Sequence, residues 1–146
     1  RLRTTGKAIA IGRVFEAIYD IRTQMLTARS KTYQYGYSYD DFLVANVAPI
    51  HSFMLDLSQL NVANLQYFED QIYLEDYLML LQLVRRSNTD WKGLGEDIYI
   101  GYYIRFSDSR NTLAVADPKR GEDIRNSPSF RKCEALIGEL KRSLKS

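Results

Sequence analysis

The pattern of apolar and polar positions is most distinct between residues 61 and 86, inside the longest stretch without glycine or proline. Apolar residues recur there at the spacing of one helix face, at Leu65, Phe68, Ile72 and Met79. From residue 77 to 84 only Gln82 is polar, and a helix that is apolar around most of its circumference must be covered by neighbouring elements. The pattern therefore predicts a central helix over 61–86 whose second half is buried.

Helical spacing of apolar residues recurs in four other segments. Residues 6–31 and 127–145 alternate steps of three and four, which gives each segment a heptad-like seam. Residues 40–48 and 49–60 are predicted as two shorter helices. Their boundary is set by Pro49, because the residue before a proline resists the helical conformation, whereas proline itself suits the first position of a helix.

A two-residue period replaces the helical one in residues 98–116. Aromatic and β-branched side chains alternate between two faces over 98–106, and residues 112–116 form a second apolar run after a polar turn. This arrangement predicts a β-hairpin, which needs helices to cover one of its faces. The sequence as a whole therefore predicts a mainly α fold, a single domain over 1–146 built as a helical bundle of four or five helices with one β-hairpin.

Composition places the chain among ordinary globular domains. Its 146 residues are 45% hydrophobic and 26% charged, which is enough for one domain with a core. A net charge of +2 does not indicate nucleic-acid binding. The single cysteine excludes an internal disulfide. The first residue is Arg1 rather than methionine, and whether the chain is a fragment or a processed product stays open, as does its localisation.

Residues that carry chemistry are few, and they lack the neighbours that a catalytic or metal site needs. His51 is the only histidine, whereas a metal site normally has several ligands at suitable spacing. Glu69 and Asp76 share a helical face, but we interpret them as solvated, since such pairs are seldom catalytic without further motif support. Cys133 falls on the apolar seam of the last helix and is expected in the core. We therefore predict no enzyme, no metal site and no cofactor.

Tyrosine is unusually frequent, with 11 residues against 6 phenylalanines. Four of them alternate around Gly36, at Tyr33, Tyr35, Tyr37 and Tyr39. We interpret this segment as an ordered loop whose tyrosines share one side and contact a protein partner. Stacking tyrosines near basic residues also occur in proteins that bind single-stranded nucleic acid, but the acidic residues are too evenly mixed with the basic ones to favour that partner.

Residues 98–133 contain several predicted elements in a fixed order. These are a strand, a turn, a second strand, a glycine–acid connection and a helix that starts with an aromatic residue. The last two features are Gly121-Glu122-Asp123 and Pro128-Ser129-Phe130. In this order of elements the segment resembles the PAS-like Cache sensor domains. The resemblance implies a sensor domain that lies outside the cytoplasm, with a membrane tether beyond this chain. It transfers no binding residue, since Ser127 stands where the family usually has an arginine.

The function predicted from these observations is a non-catalytic ligand-sensing domain of a signalling receptor. Aromatic walls with one fixed charge suit a small polar or aromatic ligand, and the candidate ligand-binding residues are Tyr99, Tyr103, Arg105 and Trp91. The alternative is a helical adaptor or structural subunit of a larger protein assembly, which would bind its partner through the tyrosine loop. The heptad-like seams of the two terminal helices fit either packing within one bundle or a homodimer.

Overall fold

The computed structural model describes residues 2–32, 38–66, 73–95, 99–107 and 118–145. It shows an α+β fold with two three-stranded mixed sheets. In chain order the described elements are α1 (Leu2–Thr5), β1 (Ile9–Ile11), β2 (Arg13–Asp20), β3 (Met25–Thr32), α2 (Tyr39–Val44), β4 (Phe53–Leu55), a 3-10 turn (Leu57–Gln59), α3 (Glu75–Leu83), β5 (Thr89–Asp90), α4 (Lys92–Gly95), β6 (Tyr99–Phe106), α5 (Pro118–Asn126) and α6 (Pro128–Lys145).

A single extended segment, residues 9–20, supplies the central strand of both sheets and is interrupted only at Gly12. In the first sheet β1 lies between β4, which is antiparallel to it, and β5, which is parallel. In the second sheet β2 lies between the antiparallel β3 and the parallel β6. The backbone N–H of Gly12 donates to the carbonyl oxygen of Ser52 at 2.8 Å, so the interruption remains anchored to the segment before β4.

The turn between β2 and β3 is closed by one side chain. The Oδ1 atom of Asp20 accepts the backbone N–H groups of Arg22, at 2.8 Å, and of Thr23, at 3.3 Å. Gln24 completes the turn with φ of 56°, in the left-handed region. Aspartate favours such turns because its short carboxylate can bond the backbone just ahead of it, and the two strands therefore form a hairpin.

The main core lies between the first sheet and helices α2, α3 and α6. Its most deeply buried large side chains are Ile9, Ile11, Phe42, Leu78, Leu80, Leu81 and Val84. The apolar face of α6 packs against α3 and brings Cys133 and Ile137 into the same cluster. The hydroxyl of Tyr77 donates to the backbone carbonyl of Phe42, which ties α3 to α2. Burial of this many apolar side chains is the main favourable term in folding.

The second sheet is covered less completely than the first. Its strands contact one another far more than they contact any described helix. Large apolar side chains with exposed fractions of 38–64% lie on it, namely Ile18, Met25, Leu26, Ile100, Tyr102 and Ile104. The second sheet therefore extends from the core instead of forming part of it.

The mainly α fold predicted from the sequence is wrong, and the largest error is the helix over 6–31. That segment forms β1, β2 and β3. Steps of three and four between apolar residues favoured a helix, but β-branched and aromatic residues dominate 9–21 and favour a pleated strand. The segment 49–60 is likewise not a helix, since it contains β4 and the 3-10 turn.

The remaining predicted elements correspond in part to the structure. Of the helix over 61–86, the structure shows helix only at α3, and residues 67–72 lie outside the described chain. The helix predicted over 40–48 corresponds to the shorter helix α2. Its N-cap is Ser38, whose hydroxyl accepts the N–H of Asp41 at 3.2 Å. The helix over 127–145 corresponds to α6, in front of which Ser127 accepts the N–H of Phe130 at 3.3 Å.

The predicted hairpin over 98–116 has one described strand, β6. Within the described residues β6 pairs with β2 in parallel, which is not a hairpin contact, and the second predicted strand, 112–116, lies outside them. Residues 118–126 were predicted as a polar connection, but they form α5. No helix in the described part of the chain is long and apolar enough to cross a membrane.

Candidate ligand site at the junction of the two sheets

The structure does not bring the four predicted ligand-binding residues together. Trp91 belongs to the main core, where its ring centroid lies 5.9 Å from that of Tyr39 and 5.7 Å from that of Phe42. Both partners are buried residues of α2. Trp91 therefore serves packing, although its polar neighbours in the sequence favoured a surface position.

Tyr99 and Tyr103 point to opposite faces of the second sheet. The ring of Tyr99 stacks on Phe15, with centroids 3.8 Å apart and planes 5° apart, whereas Tyr103 is the register partner of Glu16. Register partners share a face and successive residues alternate, so Phe15 and Glu16 lie on opposite sides. The pairing of β2 with β6 shifts its register after Arg13. Such a bulge inserts one extra residue and reverses the alternation of faces, so Tyr99 lies on the same face as Phe15.

Arg105 does not supply the free positive charge that the sequence predicted. Its guanidinium Nε forms an ion pair with the carboxylate of Glu16. Glu16 is 9% exposed, so its charge requires a close partner, and Arg105 is that partner. The two residues lie on neighbouring strands, β2 and β6, and their charges neutralise each other. An anionic ligand therefore gains little from this position.

Tyr103 instead contacts the only histidine. The rings of His51 and Tyr103 have centroids 5.9 Å apart and planes 15° apart, in a stacked arrangement. His51 is exposed and lies in the turn before β4, where the N–H of Ser52 donates to the carbonyl of Pro49 at 2.7 Å. This contact connects the loop of the first sheet to β6 of the second sheet.

A cavity of about 390 Å³ lies beside His51, where the chain passes from the first sheet to the second. Its lining residues are Leu2, Ala10, Ile11, Gly12, His51, Phe53, Met54, Gly93 and Ile100. A Cβ atom at Gly12 would lie 3.0 Å from the side chain of Ile100, so the absence of a side chain there lets the two sheets approach. Gly93 packs its backbone directly on the carbonyl oxygen of Ile11 and closes another wall.

The described residues that line this cavity are apolar except for the imidazole of His51, and they include no carboxylate, lysine or arginine. Its volume falls within the range of small-molecule sites, which commonly combine apolar walls with a few polar groups. The described residues include no group of three or more histidine, cysteine or acidic side chains that could hold a metal ion. We call this cavity the junction cavity.

Sequence reasoning missed the residues of β4 that line the junction cavity, Phe53 and Met54. They were placed on a helix with a buried face, yet Met54 is 65% exposed. The available signal was Pro49, which lies after the end of α2 and accepts the N–H of Ser52 in the turn before β4. Ile100 was assigned correctly to a strand, but its contact with Gly12 depends on a pairing between segments nearly ninety residues apart.

Of the four predicted protein-contact tyrosines, the structure describes Tyr39. Tyr33, Tyr35 and Tyr37 lie outside the described residues. Tyr39 is 8% exposed and packs against Trp91, with the guanidinium of Arg86 at 5.1 Å from its ring centroid. Tyr39 therefore belongs to the core and not to an open contact surface.

The other candidate residues occupy structural positions. Glu69 lies outside the described residues. Burial raises the pKa of the Asp76 carboxyl, which accepts a bond from the Asn46 amide at 3.3 Å. Cys133 is fully buried, and its thiol donates to the carbonyl of Tyr73 at 2.9 Å. Burial also raises the pKa of this thiol, so it is a poor nucleophile.

Comparison of the chain with protein-family models, with curated proteins and with solved structures finds no match. An α+β fold alone does not identify a function, because one architecture can carry many sites.

Proposed function

We propose that the chain is a non-catalytic domain that binds one small, uncharged molecule in the junction cavity. The observation that supports this proposal is an apolar cavity of about 390 Å³ with one polar side chain, His51, in its wall. This keeps the ligand-sensing role that the sequence predicted, with the domain acting as part of a signalling receptor, but it moves the ligand to a different place. Of the predicted binding residues, only Tyr103 lies next to it, through its stacking contact with His51.

The lining determines what kind of ligand suits the cavity. A charged ligand would lose its hydration without gaining an opposite charge from the described residues of the lining, which include no carboxylate, lysine or arginine. Arg105 offers no compensation, since Glu16 already neutralises it. A flat aromatic or aliphatic molecule with one hydrogen-bonding group, directed to His51, satisfies both the walls and the imidazole.

The position of the cavity gives binding a route to signalling. Ala10 and Phe53 belong to the first sheet, and Ile100 belongs to the second. A ligand that contacts both sheets stabilises the relative orientation of the sheets in which all its contacts are made. Orientations in which the sheets are rotated about Gly12 lose some of these contacts and become less populated. A ligand changes such an equilibrium only through its different affinities for the two states.

Binding can be tested with indole, benzoate and benzylamine as neutral, anionic and cationic aromatic probes. Indole should raise the melting temperature and show saturable binding by calorimetry, because a molecule that binds only the folded state stabilises it. Benzoate and benzylamine should bind at least tenfold more weakly. Absence of indole binding, or equal binding of all three probes, contradicts the proposal.

A matched pair of variants locates the binding site. Met54 and Met25 are 65% and 64% exposed, but only Met54 lines the junction cavity. Met54→Glu should abolish indole binding, since it places a charge at the apolar wall, whereas Met25→Glu should leave binding unchanged. Circular dichroism should show native secondary structure for both. Equal effects of the two substitutions would place the indole elsewhere.

The second candidate function is a structural subunit of a larger protein assembly. It is supported by the exposed apolar residues of the second sheet, including Tyr102 and Ile104. Contiguous exposed apolar surface commonly marks an interaction site. Under this alternative, Ile104→Lys should reduce self-association or partner binding in light scattering without altering indole binding.

A further inference from the structure

A second cavity, of about 360 Å³, lies between the beginning of α3 and the outer face of α6. Its lining residues are Asn46, Leu74, Tyr77, Glu134, Ile137, Gly138 and Lys141. The described residues of its lining include none that lines the junction cavity, and they include one acid, Glu134, and one base, Lys141. We call it the helical cavity.

Lys141 is the positive group of the helical cavity. Its Nζ donates to the carbonyl of Val44 at 2.9 Å and lies 5.0 Å from the ring centroid of Tyr77. No described carboxylate forms an ion pair with it. Burial lowers the pKa of this ammonium group, and Lys145 adds a smaller effect in the same direction. Lys141 is therefore a partly buried cation that lacks an anionic partner within the described residues.

Glu134 is the negative group, on the same side of α6. Residues 134 and 141 are seven positions apart, which is about two turns, or about 10 Å along the helix axis. Gly138 lies between them and places no side chain in the intervening space. Glu134 forms no ion pair with Lys141 or with another residue that the structure describes. The two charges thus stand at separate ends of one cavity.

From this arrangement we infer that the helical cavity binds a linear zwitterion, with its ammonium group at Glu134 and its carboxylate at Lys141. The connecting chain of such a ligand would lie along Ile137 and Tyr77. Both ends gain a charge-assisted hydrogen bond, which is stronger than a neutral one. The suitable chemical class is an ω-amino acid or a short peptide, whose charges are separated by several bonds.

A ligand with one charge fits this cavity less well. A simple carboxylate would form the contact with Lys141 but none with Glu134. A simple amine would leave Lys141 without an anionic partner. A compact zwitterion such as glycine cannot reach both groups at once. Selectivity for a long zwitterion is therefore the property that distinguishes this site from nonspecific ion binding.

The probe for this site is 6-aminohexanoate, compared with hexanoate, hexan-1-amine and glycine. Calorimetry should show saturable binding of 6-aminohexanoate, with each of the other three at least tenfold weaker, because each forms only one of the two charge-assisted contacts. Equal binding of hexanoate and 6-aminohexanoate would overturn the inference and leave a simple anion site. No binding of 6-aminohexanoate would also overturn it.

Two nearly isosteric substitutions should change the selectivity in opposite directions. Lys141→Met should lose 6-aminohexanoate and bind hexan-1-amine more tightly than the wild-type protein does. Glu134→Gln should lose 6-aminohexanoate and bind hexanoate more tightly. Glu139→Gln is the control, since Glu139 is exposed on α6 but does not line the cavity. If Glu139→Gln weakens binding as much as Glu134→Gln does, the effect is one of general charge and the inference fails.

This inference is independent of the proposed function. The Met54→Glu substitution, which should abolish indole binding, should leave 6-aminohexanoate binding unchanged. The Glu134→Gln substitution should in turn leave indole binding unchanged. Binding is measured only for variants whose melting curves show that they are folded. Loss of binding at one cavity therefore does not count against binding at the other.

Discussion

The two sheets are built from one extended segment and have the same arrangement, yet they lie in different environments. In each sheet a central strand lies between an antiparallel and a parallel neighbour. In the first sheet, Ile9 and Ile11 are at most 2% exposed. In the second, Val14 and Ala17 are buried, but Ile18 is 38% exposed. Identical backbone pairing therefore does not determine how well a sheet is covered.

The difference comes from the side chains that each sheet can use as partners. The first sheet lies against the leucine-rich face of α3, including Leu80 and Leu81, and is stabilised by apolar burial. The second sheet has instead the stacked Phe15 and Tyr99 rings and the ion pair of Glu16. Its contacts are made mainly between its own strands. We therefore expect substitutions in the first region to affect global stability more than substitutions in the second.

The largest expected difference is between Leu81→Asp and Ile104→Asp. Leu81 is 1% exposed in α3, whereas Ile104 is 39% exposed in β6. Burying a carboxylate at position 81 should lower the free energy of unfolding by about 4–5 kcal/mol or more, which is enough to unfold an ordinary domain. Ile104→Asp should reduce it by about 1–2 kcal/mol. Thermal and urea unfolding followed by circular dichroism measure both.

A folded Leu81→Asp protein would show that α3 is not central to the core. An unfolded Ile104→Asp protein would show that the second sheet contributes as much as the first, and the comparison between the two regions would then be wrong.

The two glycines Gly93 and Gly101 give a finer version of the same comparison. An added Cβ at Gly93 would overlap the backbone carbonyl oxygen of Ile11, whereas at Gly101 it would meet no atom within 4 Å. Gly93→Ala should therefore destabilise the fold by about 2–3 kcal/mol, since backbone has to move. Gly101→Ala should change stability by no more than about 0.5 kcal/mol. Urea unfolding at matched concentrations measures the difference.

Since Gly93 also lines the junction cavity, indole binding should weaken in Gly93→Ala and remain unchanged in Gly101→Ala. Equal stability of the two variants would mean that α4 does not approach β1 as closely as the structure shows.

The parts of the fold that the sequence could predict are those set by local signals. The helix α6 follows from Ser127 as N-cap, Pro128 at the first position and a regular apolar face. The strand β6 follows from its two-residue period. The helix predicted over 6–31 was wrong because its three-and-four spacing was given more weight than the β-branched and aromatic residues of 9–21, which favour a strand. The strands that pair with β1 and β2 include β4, β5 and β6. Those partners are distant in sequence.

The candidate site was harder to predict for the same reason. Tyr99, Tyr103 and Arg105 alternate in the sequence, but the bulge after Arg13 moves Tyr99 to the other face. Arg105 looked like a free charge because Glu16, its partner, lies on another strand. Trp91 lies among polar residues and still packs in the core. Periodicity describes one element, whereas each of these positions depends on contacts between elements.

The smallest expected effect concerns two ion pairs, one from each region. Glu16 and Arg105, on the second sheet, have side chains 11% and 39% exposed. Arg86 and Asp40, beside the main core, pair at 2.7 Å with side chains 65% and 71% exposed. A double-mutant cycle with Glu16→Gln and Arg105→Met should give a coupling energy of about 1 kcal/mol, because the carboxylate of Glu16 is shielded from water. A fully buried pair would give a larger coupling energy, since Arg105 is partly exposed here.

The matched cycle with Asp40→Asn and Arg86→Met should give a coupling energy near zero, since solvent and salt screen exposed charges. This would reverse the order found with Leu81 and Ile104, because here the second sheet contains the stronger interaction. It would follow that the second sheet is not simply a weaker copy of the first, but one stabilised by pairing within itself. Equal coupling energies in the two cycles would show that the Glu16–Arg105 pair is as well solvated as the surface pair and adds no more to stability than that pair does.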